Sequence, residues 1–431
     1  MAGLRFDCIG DPNHMNSRYS ALSLMKAAVS PGGGVPAWTE CDPKARYDIV
    51  IVGGGGHGLA TAYYLAVNHG LRNVAVIERG WIGGGNTGRN TTVVRSNYLY
   101  PESARLYEFS LKQYETLGQE LNFNIMLSQR GLMLLAHSRH DLETHSRSAN
   151  AMWMNGIDAE LVSREEVASR IPLLDVSKSS RFPVLGGLNQ RRAGTARHDA
   201  VAWGYARAAH SMGIDIVQNC EVKGFLKDTN RGVCGVETTR GRINADRVGL
   251  AAAGHSSVLA ELAGFQLPIT SYALQAMVSE PVKPCLDTVV LSGATGTYVS
   301  QSDKGEMVMG GALDFYASYA QRGSIAVSQN VIGGVISLFP ALGHLALLRQ
   351  WAGIVDVVHD SSPIISETPT RNLFINCGWG TGGFKAIPVG GWTFAHLLAT
   401  GASHELAEPF QLRRFASGRL IDEAAASGIA H

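Results

Sequence analysis

An apolar stretch, residues 47–52, ends abruptly in a run of glycines, and a helical pattern begins directly after that run. Apolar side chains then recur at the i, i+3, i+4 and i+7 positions of an amphipathic helix, namely Leu59, Ala62, Tyr63 and Ala66. A second apolar run, Val74–Ile77, follows and ends at Glu78. This order predicts a strand, a tight glycine turn, a helix and a second strand that ends in a carboxylate.

The glycines of this turn fit the G-x-G-x-x-G motif, with Gly53, Gly55 and Gly58 at its three positions. The first permits the tight turn, the second lets the backbone approach a pyrophosphate, and the third lets the helix pack closely on the strand. The phosphates would lie on free N–H groups at the helix N-terminus. Glu78 lies twenty residues after Gly58, where a carboxylate can bind ribose hydroxyls. In this context the motif predicts a bound dinucleotide rather than a plain glycine-rich turn.

The rest of the chain alternates between segments typical of such a nucleotide domain and β-rich segments. Another small-residue strand ends at Gly254, and a second glycine-dense loop, residues 377–385, precedes a helix from about Val389 to Thr400. Residues 123–136 are predicted to form two strands joined by a turn at Arg130-Gly131. We therefore expect a discontinuous nucleotide domain with a second domain over its reactive ring. The predicted limits are 1–46 for an N-terminal extension and arm, 47–125, 193–264 and 356–431 for the nucleotide domain, and 126–192 and 265–355 for the second domain.

The composition changes this picture little. The chain has 431 residues, of which 45% are hydrophobic and 17% charged, as in ordinary globular proteins with two connected domains. Its formal net charge of +1 argues against a nucleic-acid or membrane partner, and no run is long enough for a transmembrane helix. The six cysteines form no C-x-x-C pair, so no metal site is expected and a cytoplasmic protein with reduced cysteines is favoured.

Five segments resemble the amine-oxidising flavoproteins of the D-amino-acid oxidase and glycine oxidase superfamily, and within it the β subunits of heterotetrameric sarcosine oxidases. The segments are Tyr47–Tyr64, Gly83–Tyr98, Ala193–Arg207, Ala253–Phe265 and Asn376–Lys385. The resemblance covers about residues 15–431 and leaves residues 1–14 outside. It implies an α/β fold, with a glutathione-reductase-like FAD-binding domain and a discontinuous mixed-sheet α+β substrate domain.

The resemblance also implies that FAD is the dinucleotide. Monomeric relatives attach FAD through a cysteine near residues 351–363, and that stretch has no cysteine here, so the FAD is expected to be non-covalent. For Val222 the alternative is an ordinary buried strand valine. The residues implied to hold FAD are Gly53, Gly55, Gly56, His57, Gly58, Glu78, Arg79, Asn86, Thr87, Arg89, Asn90, Thr91, Val222, Gly254, Gly380, Gly382, Gly383 and Lys385.

Two cations are the candidate catalytic residues. Arg95 resembles the arginine that pairs with the substrate carboxylate, and a guanidinium can bind a carboxylate through two hydrogen bonds. Lys385 resembles the lysine on the other side of that carboxylate. The alternative for each is a solvated surface charge. Neither is expected to be a general base, because the substrate amine must lose its own proton.

His198 resembles the residue to which FMN is covalently attached in these β subunits. An imidazole nitrogen can attack the 8α-methyl carbon of an oxidised flavin, although a histidine beside a helix start is more commonly structural. An FMN at a subunit boundary implies an α partner, and the family also has γ and δ subunits, the last of which carries zinc.

The implied reaction is the oxidative demethylation of a small secondary amine, with sarcosine as the expected substrate, to glycine and formaldehyde or a methylene-folate on the partner subunit. Electrons would pass from FAD to FMN and then to oxygen, giving hydrogen peroxide. N-methylglutamate dehydrogenase and proline-type dehydrogenase complexes, which use similar subunits, are the alternative with the same chemistry. A non-catalytic flavin-binding scaffold is the alternative of another class, and the presence of both Arg95 and Lys385 argues against it.

Overall fold

The computed structural model describes residues 21–29 and 37–421. The chain divides into two units, residues 1–39 and residues 40–431, and the described residues of the first include the helix Ala21–Val29. The N-terminal extension expected at residues 1–14 lies outside the described residues. No helix within 21–29 or 37–421 has the length and apolar character needed to cross a bilayer.

The helices and strands are numbered here in chain order. The α-helices are α1 Ala21–Val29, α2 Gly56–His69, α3 Pro101–Glu120, α4 Arg139–Met154, α5 Arg164–Arg170, α6 His198–Ser211, α7 Ser256–Ala263, α8 Ile325–Leu338, α9 Ile387–Thr400 and α10 Arg414–Ser417. The strands are β1 Arg46–Val52, β2 Val74–Ile77, β3 Val93–Val94, β4 Leu132–Ala136, β5 Glu160–Ser163, β6 Gly186–Gln190, β7 Gly194–Thr195, β8 Asp215–Val217, β9 Val222–Lys227, β10 Val233–Thr238, β11 Gly241–Leu250, β12 Ile269–Pro281, β13 Val289–Ser292, β14 Thr297–Gln301, β15 Glu306–Ala317, β16 Leu347–Val358, β17 Ile364–Glu367 and β18 Leu373–Cys377.

The first sheet is parallel at its centre and has the order β17-β18-β11-β1-β2-β8. In addition, β10 pairs with β11, and β9 pairs with β10. Val52 of β1 is in register with Leu250 of β11 and with Ile77 of β2, and Leu250 is in register with Ile375 of β18. The carboxyl ends of these four strands therefore lie side by side. Ligands of open α/β sheets bind at this edge.

The second sheet has the order β16-β12-β15-β14-β13-β4-β6-β5 and is antiparallel except where β13 pairs with β4. Two buried apolar clusters pack along it, one with α5 and α8 and the other with α3 and α4. A mixed sheet beside a parallel nucleotide-type sheet is the predicted fold class, which is confirmed. The domain limits given above stay a prediction.

The strand pair predicted at residues 123–136 is wrong. Only β4 is a strand there, and it pairs with β6 and β13 rather than with the residues that precede it. The segment before it contains Met126 with a positive φ of 53° and makes a single antiparallel bridge from Ser128 to Thr195. Gly131 turns the chain with φ of 87°, and its N–H donates to the carbonyl of Ala193 rather than closing a hairpin.

Candidate active site

The first glycine loop has the geometry that the motif predicts. Gly53 has φ of 117°, and a Cβ on it would lie 2.4 Å from the carbonyl oxygen of Ala251 on the neighbouring chain segment. A Cβ on Gly58 would lie 1.9 Å from the carbonyl oxygen of Gly53, which no side chain can tolerate. These two glycines are therefore required by the protein's own backbone, whatever is bound.

Gly55 differs from its two neighbours in the motif. Its backbone is extended, with φ of −80°, and a Cβ on it would meet only the hydroxyl oxygen of Thr87, at 3.2 Å. That hydroxyl also accepts a hydrogen bond of 2.9 Å from the N–H of Gly56 in the first turn of α2. Because the protein leaves space at Gly55, a glycine is needed there only if a ligand comes close to the backbone, as a pyrophosphate would.

Glu78 lies at the carboxyl end of β2, as predicted. Its Oε2 accepts a hydrogen bond of 2.8 Å from the N–H of Gly54, and its Oε1 accepts one of 2.8 Å from the N–H of Gly80. Two carboxylate oxygens have about four acceptor positions between them. Glu78 is thus fixed in place by the backbone and keeps acceptors for the hydroxyls of a ribose.

A cavity of about 730 Å³ begins at this loop and extends to the second sheet. Its size lies within the range of roughly 300–1,000 Å³ that is usual for cofactor and small-molecule sites. The residues predicted from the sequence that line it are Gly53, Gly55, Gly56, His57, Glu78, Arg79, Asn86, Thr87, Arg89, Asn90, Thr91, Arg95, Val222, Gly254, Gly380, Gly383 and Lys385. The size, the glycine cradle and Glu78 all fit FAD.

Three predicted residues do not line this cavity. Gly58 lies beneath α2 against Gly53, and a Cβ on Gly382 would meet the hydroxyl of Tyr107 at 2.1 Å, so both glycines serve close packing. His198 begins α6, is partly buried and does not line the cavity. Its Nδ1 is buried without a hydrogen-bond partner, and burial lowers the pKa of its imidazole.

The loop between β2 and β3 shapes the cavity wall through hydrogen bonds to backbone. Asn86 accepts a bond of 2.8 Å from the N–H of Ile354 and donates to the carbonyl of the same residue, which ties the loop to β16. The side chain of Asn90 accepts from the N–H of Thr92 at 2.7 Å. The guanidinium of Arg89 donates to the carbonyl oxygens of Gly84 and Gly85. The polar groups of these side chains therefore hold the loop itself in shape.

The second glycine loop is held by side chains from two distant helices. His57 Nε2 lies 2.8 Å from the carbonyl oxygen of Gly383, and because a carbonyl only accepts, this nitrogen carries the proton. Burial lowers the pKa of His57 to about 4, so the ring is neutral at pH 7. From α3, the hydroxyls of Tyr114 and Ser110 donate to the carbonyls of Phe384 and Lys385 at 2.6 Å and 2.7 Å. The sequence analysis did not identify these two hydroxyls.

Arg95 and Lys385 are brought together in the cavity. Lys385 is only 5% exposed, and its ammonium donates to the carbonyl oxygen of Thr381 at 3.1 Å. Burial and the nearby Arg95 hold the pKa of Lys385 well below its usual value. The guanidinium of Arg95 donates to Asn97 Oδ1 at 2.5 Å and lies 4.9 Å from the centre of the Tyr98 ring. Neither cation forms a salt bridge within residues 37–421. Two like charges in a half-enclosed space favour an anion between them.

Asp356 is a cavity residue that the sequence analysis missed. It is 1% exposed, on β16, and its Oδ2 accepts a hydrogen bond of 2.5 Å from the N–H of Gly378. The available signal was an acidic residue within the apolar run Ile354–Val358 of the sequence. A charged residue in such a run is costly to bury, so its presence indicates a special role.

The chain is similar to known flavoproteins over most of its length. Residues 48–397 match the family described as FAD dependent oxidoreductase. The chain is 54% identical to sarcosine oxidase subunit beta of Arthrobacter sp, over 91% of this chain and 97% of that protein. It is 51% identical to sarcosine oxidase subunit beta of Rhodobacter capsulatus, over 96% of this chain and 100% of that protein.

Two solved structures are also similar. L-proline dehydrogenase from P. horikoshii superposes with a TM-score of 0.82 at 27% identity, covering 88% of this chain and 100% of that one. Glycine oxidase from Geobacillus kaustophilus superposes with a TM-score of 0.78 at 23% identity, covering 86% and 99%, and at that identity the likeness concerns the fold.

Proposed function

Because the chain belongs to the family of sarcosine oxidase β subunits within the FAD-dependent oxidoreductases, we propose that it oxidises the N-methyl group of sarcosine. The observation that carries this proposal is that Arg95 and Lys385 lie close together in the FAD cavity and that neither forms a salt bridge within the described residues. A carboxylate bound between them would relieve their repulsion and raise the pKa of Lys385 toward its usual value. The two cations would thus fix a small amino acid by its carboxylate and leave its methylamine toward the reactive ring.

The overall reaction consumes sarcosine, oxygen and water and yields glycine, formaldehyde and hydrogen peroxide. When bound, the flavins supply its redox chemistry, with two electrons leaving the substrate C–N unit through FAD and FMN to oxygen. The protein's own part is to bind the carboxylate and to hold a dry cavity. Transfer of the one-carbon unit to a folate on a partner subunit belongs to the same proposal, as does a cytoplasmic location.

The carboxylate role is tested by comparing two amines. Arg95→Ala should lower kcat/KM for sarcosine. The fall should correspond to a loss of roughly 3–5 kcal/mol of transition-state stabilisation, the range for unpairing a buried charge. Dimethylamine lacks the carboxylate, so its slow turnover should change far less. Flavin content of the purified variant, measured spectroscopically, is the control for cofactor loss. An equal loss for both amines would show that Arg95 serves another purpose.

FMN attachment at His198 is part of the proposal. Its support is the β-subunit relationship, the absence of His198 from the lining of the FAD cavity, and a lowered pKa that favours the neutral, nucleophilic imidazole. An α subunit would then cover the FMN, with γ and δ subunits completing a heterotetramer.

Acid precipitation of the whole complex tests this attachment. The wild-type β chain should retain a fluorescent flavin, and a peptide containing His198 should carry the mass of FMN. His198→Asn should still bind FAD and be reduced by sarcosine, with no retained flavin. Complete release of flavin from the precipitated wild type would favour a structural role for His198.

A second candidate, a proline dehydrogenase or N-methylglutamate dehydrogenase subunit, is favoured by the similarity to L-proline dehydrogenase. Anaerobic mixing with sarcosine, N-methylglutamate and proline in turn separates the candidates, since the true substrate bleaches the bound flavin fastest. No bleaching by any amine would favour a non-catalytic scaffold.

A further inference from the structure

Two buried carboxylates lie four residues apart at the end of β16, and they are paired in different ways. Asp356 and Asp360 are each 1% exposed. Asp360 forms a salt bridge with Arg414, with N–O distances of 2.7 Å and 2.9 Å. Asp356 forms no salt bridge within the described part of the second unit, residues 40–421. Its hydrogen bonds come from the backbone, including the one from the N–H of Gly378.

The environment of Asp356 indicates a functional group. Burial raises its pKa to about 6, while N–H groups of Gly378, Trp379 and Gly380 lower it and so favour the ionised form. Burying a charge without a cation costs several kcal/mol, and nearby Asp360 has such a cation in Arg414 of α10, whereas Asp356 has none among the described residues. Unlike Asp360, Asp356 lines the FAD cavity.

The residues that donate these hydrogen bonds lie at the start of the second glycine loop. Gly378 and Gly380 have positive φ values of 71° and 52°, which turn their peptides toward the carboxylate. At the other end of the loop, Lys385 donates to the carbonyl of Thr381. The loop is therefore held between a carboxylate and an ammonium. Gly380, Thr381 and Gly383 line the cavity between these two charges.

We infer that Asp356 is a positioning residue that fixes this loop against the flavin and, through its negative charge, lowers the reduction potential of the bound FAD. The inference rests on the proposed function for the presence of FAD in this cavity. Reduction adds negative charge to the flavin ring, and a fixed negative charge nearby opposes it, strongly in a site that excludes water. Asp356 thus offsets part of the effect of Arg95 and Lys385, which favour the reduced ring.

The test is a dye-coupled redox titration of the holoenzyme at pH 8, following the spectral change that disappears when the dissociable FAD is removed. Asp356→Asn keeps an oxygen acceptor for the N–H of Gly378 and removes the charge. The equilibrium constant for FAD reduction should rise at least tenfold, a shift of about 30 mV for a two-electron couple. Asp356→Glu, which keeps the charge, should stay within about threefold of the wild type.

Asp360→Asn is the matched control, because it breaks the buried ion pair with Arg414 outside the cavity. It should lower the unfolding temperature and leave the potential unchanged. Asp356→Ser removes the charge by a second route if the Asn variant does not fold. An unchanged potential in the charge-removing variant, or an equal shift in Asp360→Asn, overturns the inference. A wild type that holds FAD but is not reduced by sarcosine would contradict the proposed function and leave this measurement intact.

Discussion

The two glycine loops that border the cavity differ in what holds them. The first, residues 53–58, is fixed by its own backbone, since a Cβ on Gly58 would overlap the carbonyl of Gly53 five residues earlier. The second, residues 377–385, is fixed by partners far away in sequence. His57 reaches it across 326 residues and Tyr114 across 270 residues. One loop is a local structure, and the other exists only once the fold is complete.

This difference predicts how each loop responds to substitution. A change in the first loop acts on the turn between β1 and α2 and so on folding itself, except at Gly55, where the protein leaves space. A change in the partners of the second loop leaves both sheets in place and alters only how the loop is held. The three predictions below test this division.

Gly58→Ala should have the largest effect. Its Cβ would lie 1.9 Å from the Gly53 carbonyl, so α2 must move away from β1, at a cost of more than about 4 kcal/mol in the free energy of unfolding. Gly55→Ala meets only the Thr87 hydroxyl, and the apoprotein should lose about 1 kcal/mol or less. Urea unfolding of the FAD-free proteins measures both changes.

FAD binding should separate the two glycines further. Gly55→Ala should fold and yet bind FAD at least tenfold more weakly in a fluorescence titration, because its methyl group would point at the pyrophosphate. Normal FAD affinity in Gly55→Ala, or a well-folded Gly58→Ala, would remove the distinction between a glycine kept for the ligand and one kept for the fold.

The same division between local and distant contacts decides which features of the fold and the site could be predicted from the sequence. The role of Gly58 and the place of Glu78 depend on neighbours within one β-α-β unit, so the motif was sufficient. The close approach of Ala251 to Gly53 comes from the segment after β11 and is not local. The hydroxyls of Ser110 and Tyr114 could not be predicted, because their contacts depend on how α3 packs beside the loop. The strand pair expected at residues 123–136 failed for a related reason: the partners of β4 lie fifty or more residues away.

The hydrogen bond from His57 to the Gly383 carbonyl joins the two loops. Its histidine should have an intermediate effect on the free energy of unfolding, and that effect depends on pH. The pKa of His57 is about 4 in the folded protein and about 6.5 in the unfolded chain. Above pH 6.5 the ring is neutral in both states, and as the pH falls from 6.5 to 4 only the unfolded chain takes up the proton. The wild type should therefore lose about 3 kcal/mol of stability over this window through His57.

His57→Gln is the matched variant, since its amide can donate to the Gly383 carbonyl and does not titrate. Urea unfolding at several pH values should show the wild type losing about 3 kcal/mol more than the variant between pH 6.5 and 4. Other buried histidines, such as His255, are common to both proteins and cancel. Parallel pH profiles would mean that the pKa of His57 is not lowered in the folded protein.

The smallest effect concerns Thr87, which like Glu78 supports the first loop with a side chain from later in the sequence. Its hydroxyl accepts from the N–H of Gly56 and so caps the first turn of α2 from a residue 31 positions later. Thr87→Val keeps the shape and removes the acceptor, which should cost about 1 kcal/mol in the FAD-free protein, as for other helix caps. Thr87→Ser keeps the hydroxyl and should cost less. If Thr87→Val were as damaging as Gly58→Ala, the first loop would depend on its distant partners as much as the second does.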